Sequence, residues 1–185
     1  MAKDSIYEAT REVRTYVDLF HGSDVLLKKS NIDENGSYYT TMGSLLLTAF
    51  TFEAFLNHVG DKKIKFWDEI EKLPVLGKYT VLCKEFGLET DWSKRPYQTF
   101  KLLFKFRNSI AHGKSEILEI NKEVCATDEP WDHEPKTKIE EYCTDENAAR
   151  CREDIEQIII ELNEAAELGK YPFISGMTIS SITVK

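Results

Sequence analysis

PYQTFKLLFKFRNSIAHG, Pro96 to Gly113, is the stretch on which both the fold class and the chemistry turn. Proline suits the first turn of a helix, and Phe100, Leu103, Phe104, Ile110 and Ala111 recur at helical spacing, so the segment predicts an amphipathic helix opened by Pro96. Arg107 falls inside that apolar stripe, where an unpartnered guanidinium is costly. The other face carries Lys101, Lys105, Asn108 and His112, a polar ridge ending in the one side chain that titrates near neutral pH. At ~100° and ~1.5 Å per residue, Arg107 and His112 lie roughly 140° apart and about 7.5 Å along the axis, so they do not share a face. Asn108 and His112, four positions apart, do.

A fixed cation beside a histidine suits phosphodiester chemistry. The imidazole can take a proton from a ribose 2′-hydroxyl while guanidinium and ammonium groups neutralise charge building on the phosphorus oxygens. The same residues also read as a solvated lysine face with a capping histidine, Gly113 being the left-handed terminator.

Arg107, Asn108, three small or apolar residues and then His112 resemble the signature of the HEPN superfamily: an arginine, usually followed by a polar residue, and a histidine after four to six intervening positions. The resemblance extends over about residues 38–168 as a pattern of helices, and is specific only at RNSIAHG and in the helix around Glu53. It implies a mainly α, up-and-down helical bundle and a metal-independent endoribonuclease of the toxin or phage-defence kind. Such a homodimer uses no cofactor and leaves products with a 2′,3′-cyclic phosphate. In such proteins the two motifs meet across the dimer, which would let one site draw Arg107 and His112 from different chains. His112 is then the general base or acid, Arg107 the phosphate and transition-state binder, and Asn108 the residue that fixes a hydrogen bond or the imidazole orientation. The alternative implied is a non-catalytic HEPN interaction module or scaffold, paired with a nucleotidyltransferase, whereas a toxin would be held by a cognate antitoxin. In one toxin group a tyrosine two positions after the histidine is modified by such a partner. That position here is Lys114, so this route of control is not indicated.

A second helix is read in YYTTMGSLLLTAFTFEAFLNHVG, from Tyr38 to His58 with Gly60 as its stop. Met42, Leu46, Ala49 and Leu56 lie along one face, with Glu53 on that face between Ala49 and Asn57. A carboxylate there and an arginine on the apolar face of another helix would relieve one another's desolvation if the helices pack. Several HEPN families resemble this chain in carrying an acid on the long helix before the motif, which makes Glu53 the expected orienter of Arg107. A rim position with the carboxylate in water is the other reading.

Composition points to one intracellular domain over residues 1–185, with 113–144 inserted and 170–185 a tail. Of its 185 residues 42% are hydrophobic and 11% aromatic, which excludes disorder. No run of ~18 apolar residues occurs and the start lacks an apolar signal core, so no membrane association is expected and the cytoplasm is the expected location. Cys83, Cys125, Cys143 and Cys151 lack CxxC spacing, and His21, His58 and His133 show no spacing with carboxylates that suggests ligands. No metal is therefore expected, and the cysteines read as free thiols. A net charge of −8 argues against a general nucleic-acid coating protein. It weighs less against a local RNA site in which Lys101, Lys105, Arg107 and Lys114, doubled by a two-fold axis, hold a short single strand.

The rest of the chain reads mostly as helix. Ile6, Ala9, Val13, Val17 and Phe20 repeat at helical spacing up to Gly22, with a turn or continuation through Val25 and Leu26. A short piece around Trp67 reaches Leu73, Pro74 opens another that Gly87 stops, and a final helix runs from Asp145 to Leu168, ended by Gly169. The tail from Tyr171 favours strand. Paired with a strand near residues 115–124, at Glu116 to Ile120, it would form a small β appendage beside His112. TDEPWDHEPKT reads as a proline-broken acidic loop.

Overall fold

The computed structural model describes residues 4–184, and the chain is mainly α. Strand β1 (Ser5–Arg11) is followed by helices α1 (Thr15–Ser30), α2 (Ser37–Lys63), α3 (Trp67–Ile70), α4 (Val75–Glu85) and α5 (Tyr97–Ala111). After a 3-10 turn at Pro130–His133 come α6 (Lys138–Tyr142), α7 (Asp145–Ala165) and strand β2 (Thr178–Val184). Among the described residues no helix is long and apolar enough to cross a membrane.

The described residues fall into two compact units. The first takes in residues 4–22, 50–90 and 159–184. Here Tyr16 meets the ring of Phe55 edge-on at 5.2 Å, its hydroxyl donates to the Pro172 carbonyl at 2.8 Å, and Phe20 stacks on Phe173 at 4.3 Å. The C-terminal tail is thus tied back to α1. Gly60 lies within α2 and does not stop it. A Cβ there would come within 2.1 Å of the Trp67 indole, so the missing side chain is what admits the tryptophan. Gly87, at φ 69°, does stop α4: Leu88 N–H reaches the Cys83 carbonyl at 2.8 Å, the closure that a left-handed glycine allows.

The second unit takes in residues 23–49 and 91–158. Its polar groups are used in pairs. Asp145, at the positive end of α7, accepts from Ser30 of α1 at 2.8 Å and from Thr41 of α2 at 2.5 Å. Arg95, just before α5, forks onto Asp154 of α7 with contacts of 2.8 to 3.1 Å, and Asp154 is only 3% exposed. Arg152 reaches Asp24 at 3.5 Å and also bonds Ser23.

The helical reading and the small β appendage hold, with several corrections to the parts. Residues 5–11 form a strand: Ile6, Tyr7 and Thr10 fit a pleated, exposed surface, and the i, i+3 spacing of Ile6 and Ala9 is accidental. The tail does supply the second strand, but its partner is β1, antiparallel with Tyr7 opposite Ile182, and residues 115–124 carry no strand. α1 continues through Val25 and Leu26 without a break. Of the expected face of α2, Ala49 and Leu56 are fully buried while Met42 and Leu46 are half-buried, and the buried face also runs through Thr41, Ser44, Leu45, Thr48, Phe52, Phe55 and Val59. Hydroxyls made this face hard to see, because they look like breaks in a stripe. Buried, they are satisfied by backbone carbonyls, Thr48 by Ser44 and Ser44 by Ser23, each at 2.8 Å. α7 ends at Ala165, three residues before the expected Leu168, and the left-handed residue that stops it is Glu167 at φ 52°, with Leu168 N–H bonded to the Asn163 carbonyl at 3.1 Å.

Candidate active site

Apolar spacing along α5 buries Thr99, Phe100, Leu103, Phe104 and Phe106, and this fixes what the helix turns outward. Arg107 sits half-buried at the edge of that stripe, and Asn108, Ser109, Ala111 and His112 are exposed. The helix ends at His112, whose N–H bonds the Asn108 carbonyl at 3.0 Å. Gly113 closes on the Ile110 carbonyl at 3.3 Å and is not left-handed, so it is not the terminator the capping reading required. The Arg107 guanidinium donates to the Asn108 side-chain oxygen at 3.0 Å. That contact turns a side chain rooted beside the apolar stripe toward the polar ridge. Among the described residues no hydrogen bond or ion pair engages the His112 ring. The imidazole is therefore open to solvent and to a substrate.

The expected RNA-binding lysines separate into two kinds. Lys101 lies over the Trp92 ring, 4.8 Å from its centroid, and Trp92 is itself 5.8 Å from Phe100, so this cation is held on an aromatic shelf. Lys105 and Lys114 are exposed. Lys105 lies about 20° from His112 around the axis, so the two share a stripe that the polar ridge implied.

Glu53 belongs to the first unit, where its carboxylate stands 3.8 Å from the Lys78 ammonium. Lys78, 3% exposed, also donates to Asn57 at 2.9 Å. Glu53 and Asn57 are four apart on α2, so one helical face offers a carboxylate and an amide to a lysine arriving from α4. The sequence reading placed Glu53 correctly beside Asn57. It did not supply Lys78, because a lysine among Val75, Tyr79 and Leu82 reads as a solvated position.

The four cysteines are free. Burial pushes Cys151 and Cys143 up to about 11 each, which keeps both as thiols and makes them poor nucleophiles. Among the described residues no three or more His, Cys, Asp or Glu side chains are grouped to hold a metal ion. The acidic loop is followed by a helix that the sequence analysis does not read, although its signal is present. Thr137 and Glu140 form a reciprocal capping box, the Thr-x-x-Glu signature of a helix start, and α6 follows it. α6 carries Tyr142, whose ring lies 5.0 Å from that of Phe106 on α5.

No protein-family model, curated protein or solved structure matches the chain.

Proposed function

We propose that the chain is a metal-independent endoribonuclease of the HEPN kind, acting on single-stranded RNA as a homodimer in toxin or phage-defence roles. One observation carries the reading: the motif's polar side chains are displayed at an accessible helix end, half-buried Arg107 bonded to Asn108 and the exposed His112 ring without a hydrogen bond. In the reaction the ribose 2′-oxygen attacks the adjacent phosphorus as its proton passes to a neutral imidazole. The bond from phosphorus to the 5′-oxygen breaks, and that oxygen takes a proton from an imidazolium. The products are a 2′,3′-cyclic phosphate and a 5′-hydroxyl, and Arg107 neutralises the charge that builds on the non-bridging oxygens. With Arg107 and His112 pointing apart on one helix, each site takes its arginine and histidine from different protomers.

Incubating purified protein with single-stranded RNA at low salt should give cyclic-phosphate ends. His112→Ala should lower the rate at least ~100-fold with melting temperature and dimer unchanged, since the side chain is exposed. Intact RNA across pH 6 to 8, together with harmless expression of the wild type, would refute catalysis. A second reading, a non-catalytic module partnered with a nucleotidyltransferase, is favoured by one feature: residues 114–129 are exposed throughout and present Ile117 at 92% and Val124 at 52% exposure.

A further inference from the structure

Between α5 and α6 lies a groove of about 210 Å³ lined by Leu102, Lys105, Phe106, Ser109, Lys138 and Tyr142. Its floor is the Phe106 and Tyr142 ring pair, tilted by 36°. The Tyr142 hydroxyl is turned away, in contact with the Cys151 sulfur at 3.3 Å, so the tyrosine offers its ring to the groove. Leu102, 48% exposed, forms one apolar wall. The rim is cationic: Lys105 on one side and Lys138 on the other, both exposed, with no acid in the lining. Glu140, two residues from Lys138, has its carboxylate on the Thr137 N–H and hydroxyl at 2.7 and 2.8 Å. Ser109 donates its proton to the Phe106 carbonyl at 2.7 Å, which leaves its oxygen free to accept. Along α5 the groove residues 102, 105 and 109 continue the stripe that ends in His112, only ~4.5 Å of helix axis beyond Ser109.

An aromatic floor, a slot of this size and two cations on an otherwise acidic chain of net charge −8 match one ligand chemistry: a flat heterocycle flanked by phosphates. We infer that this groove is a base-stacking subsite, taking one nucleobase of single-stranded RNA against the half-buried Tyr142 ring, which buried Phe106 backs, with its flanking phosphates on Lys105 and Lys138. The inference rests on the ribonuclease reading and gives it a substrate determinant. The base beside the cleaved linkage is held on the same face as His112, and Ser109 accepts from an exocyclic amino group.

The test uses the full-length chain and a fluorescent RNA decamer, 2′-O-methylated throughout so that the attacking hydroxyl is blocked, with a single abasic position moved along it. Affinity should fall roughly 5- to 150-fold at one position of the scan, the range for losing one stacked base. Ser109→Trp, which fills the slot, should weaken the intact decamer by a similar factor and abolish the position dependence. Lys105→Gln with Lys138→Gln, both surface changes, should reduce the slope of log affinity against log salt by about 1.4. An unchanged salt slope would remove the two lysines from the subsite, and a flat scan would overturn the subsite whatever the slope. So would variants that alter self-association and leave RNA affinity alone, which would mean that a second copy covers the groove. If the wild type cleaves unmodified RNA while the scan is flat, the subsite fails and the ribonuclease reading stands. If it neither binds nor cleaves, both fail.

Discussion

Lys78 and Glu53 show how much a single side chain's surroundings decide. The lysine is almost wholly buried, and its partners are an amide at 2.9 Å and a carboxylate at 3.8 Å whose side chain keeps 28% of its surface in water. Glu53→Ala should therefore cost about 1 to 3 kcal/mol in urea denaturation, below the ~3 to 5 of a fully dry pair, because solvent already screens the carboxylate. Lys78→Met should lie within ~1 kcal/mol of wild type and should rescue Glu53→Ala, since a methionine fills the slot and needs no counter-charge. Coupling of Glu53 to Lys78 with strict additivity between Glu53→Ala and Arg107→Met would remove Glu53 from the RNA site. His58 gives a second residue-scale expectation. Packed beside Tyr16 at 5.1 Å, it is held below its ordinary 6.5 by burial first, and then by Lys62 and Arg14. The folded ring resists a proton that the unfolded chain accepts. Stability from His58 is thus complete above pH 6.5 and is lost as pH falls from there toward the lowered folded value. Melting temperature should drop further between pH 7.5 and 5.5 in wild type than in His58→Gln; parallel profiles would contradict this. The exposure of Lys101, Lys105, Asn108 and His112 was legible from spacing alone, because it depends on that helix's own stripe, although Ala111, read into the stripe, is exposed and Phe106, left out of it, is buried. Lys78 was not, because its partners come from another element.

At the scale of elements, periodicity read well wherever one face is apolar throughout. α7 buries Ala148, Cys151, Ile155, Ile158, Ile159 and Leu162 completely, all on the side the sequence marked. The start of α4 after Pro74 and of α5 after Pro96 followed from proline's fit to a first turn. Reading failed where two periods compete over few residues, as in β1. It failed too where pairing joins the two ends of the chain, since the β1 and β2 register is set by a contact some 170 positions apart that no local pattern encodes. The α6 half of the groove was legible in the Thr137 and Glu140 spacing and was hidden by the prolines around it. Gly60 carries the sharpest element-scale consequence. Read as a stop, it should tolerate alanine with a gain in helix propensity; as the seat of Trp67, it should not. Gly60→Ala should destabilise by roughly 1 to 3 kcal/mol through overpacking against the indole, and Gly60→Ala with Trp67→Leu should recover much of that. A neutral or stabilising Gly60→Ala would show that the indole moves aside freely.

For the whole molecule, the proposed action on RNA would require an acidic chain to gather its cations locally, and a two-fold axis through the α5 ends would double the few it has. Affinity for a single strand should be modest and strongly salt-dependent. Such an axis would also solve a problem that one chain cannot: Arg107 and His112 diverge around a single helix, and a site that needs both would borrow one of them. The most direct measurement is RNA cleavage by a mixture of two inactive variants, Arg107→Ala and His112→Ala, equilibrated so that hybrids form. Each hybrid contains one site with a wild-type arginine from one protomer and a wild-type histidine from the other. The mixture should therefore recover about a quarter of the wild-type rate, half the dimers being hybrid with one working site of two. Recovery should vanish when the dimer is diluted below its dissociation constant. A mixture as inactive as either variant alone, while hybrids are demonstrably formed and the wild type cleaves, would contradict the composite site.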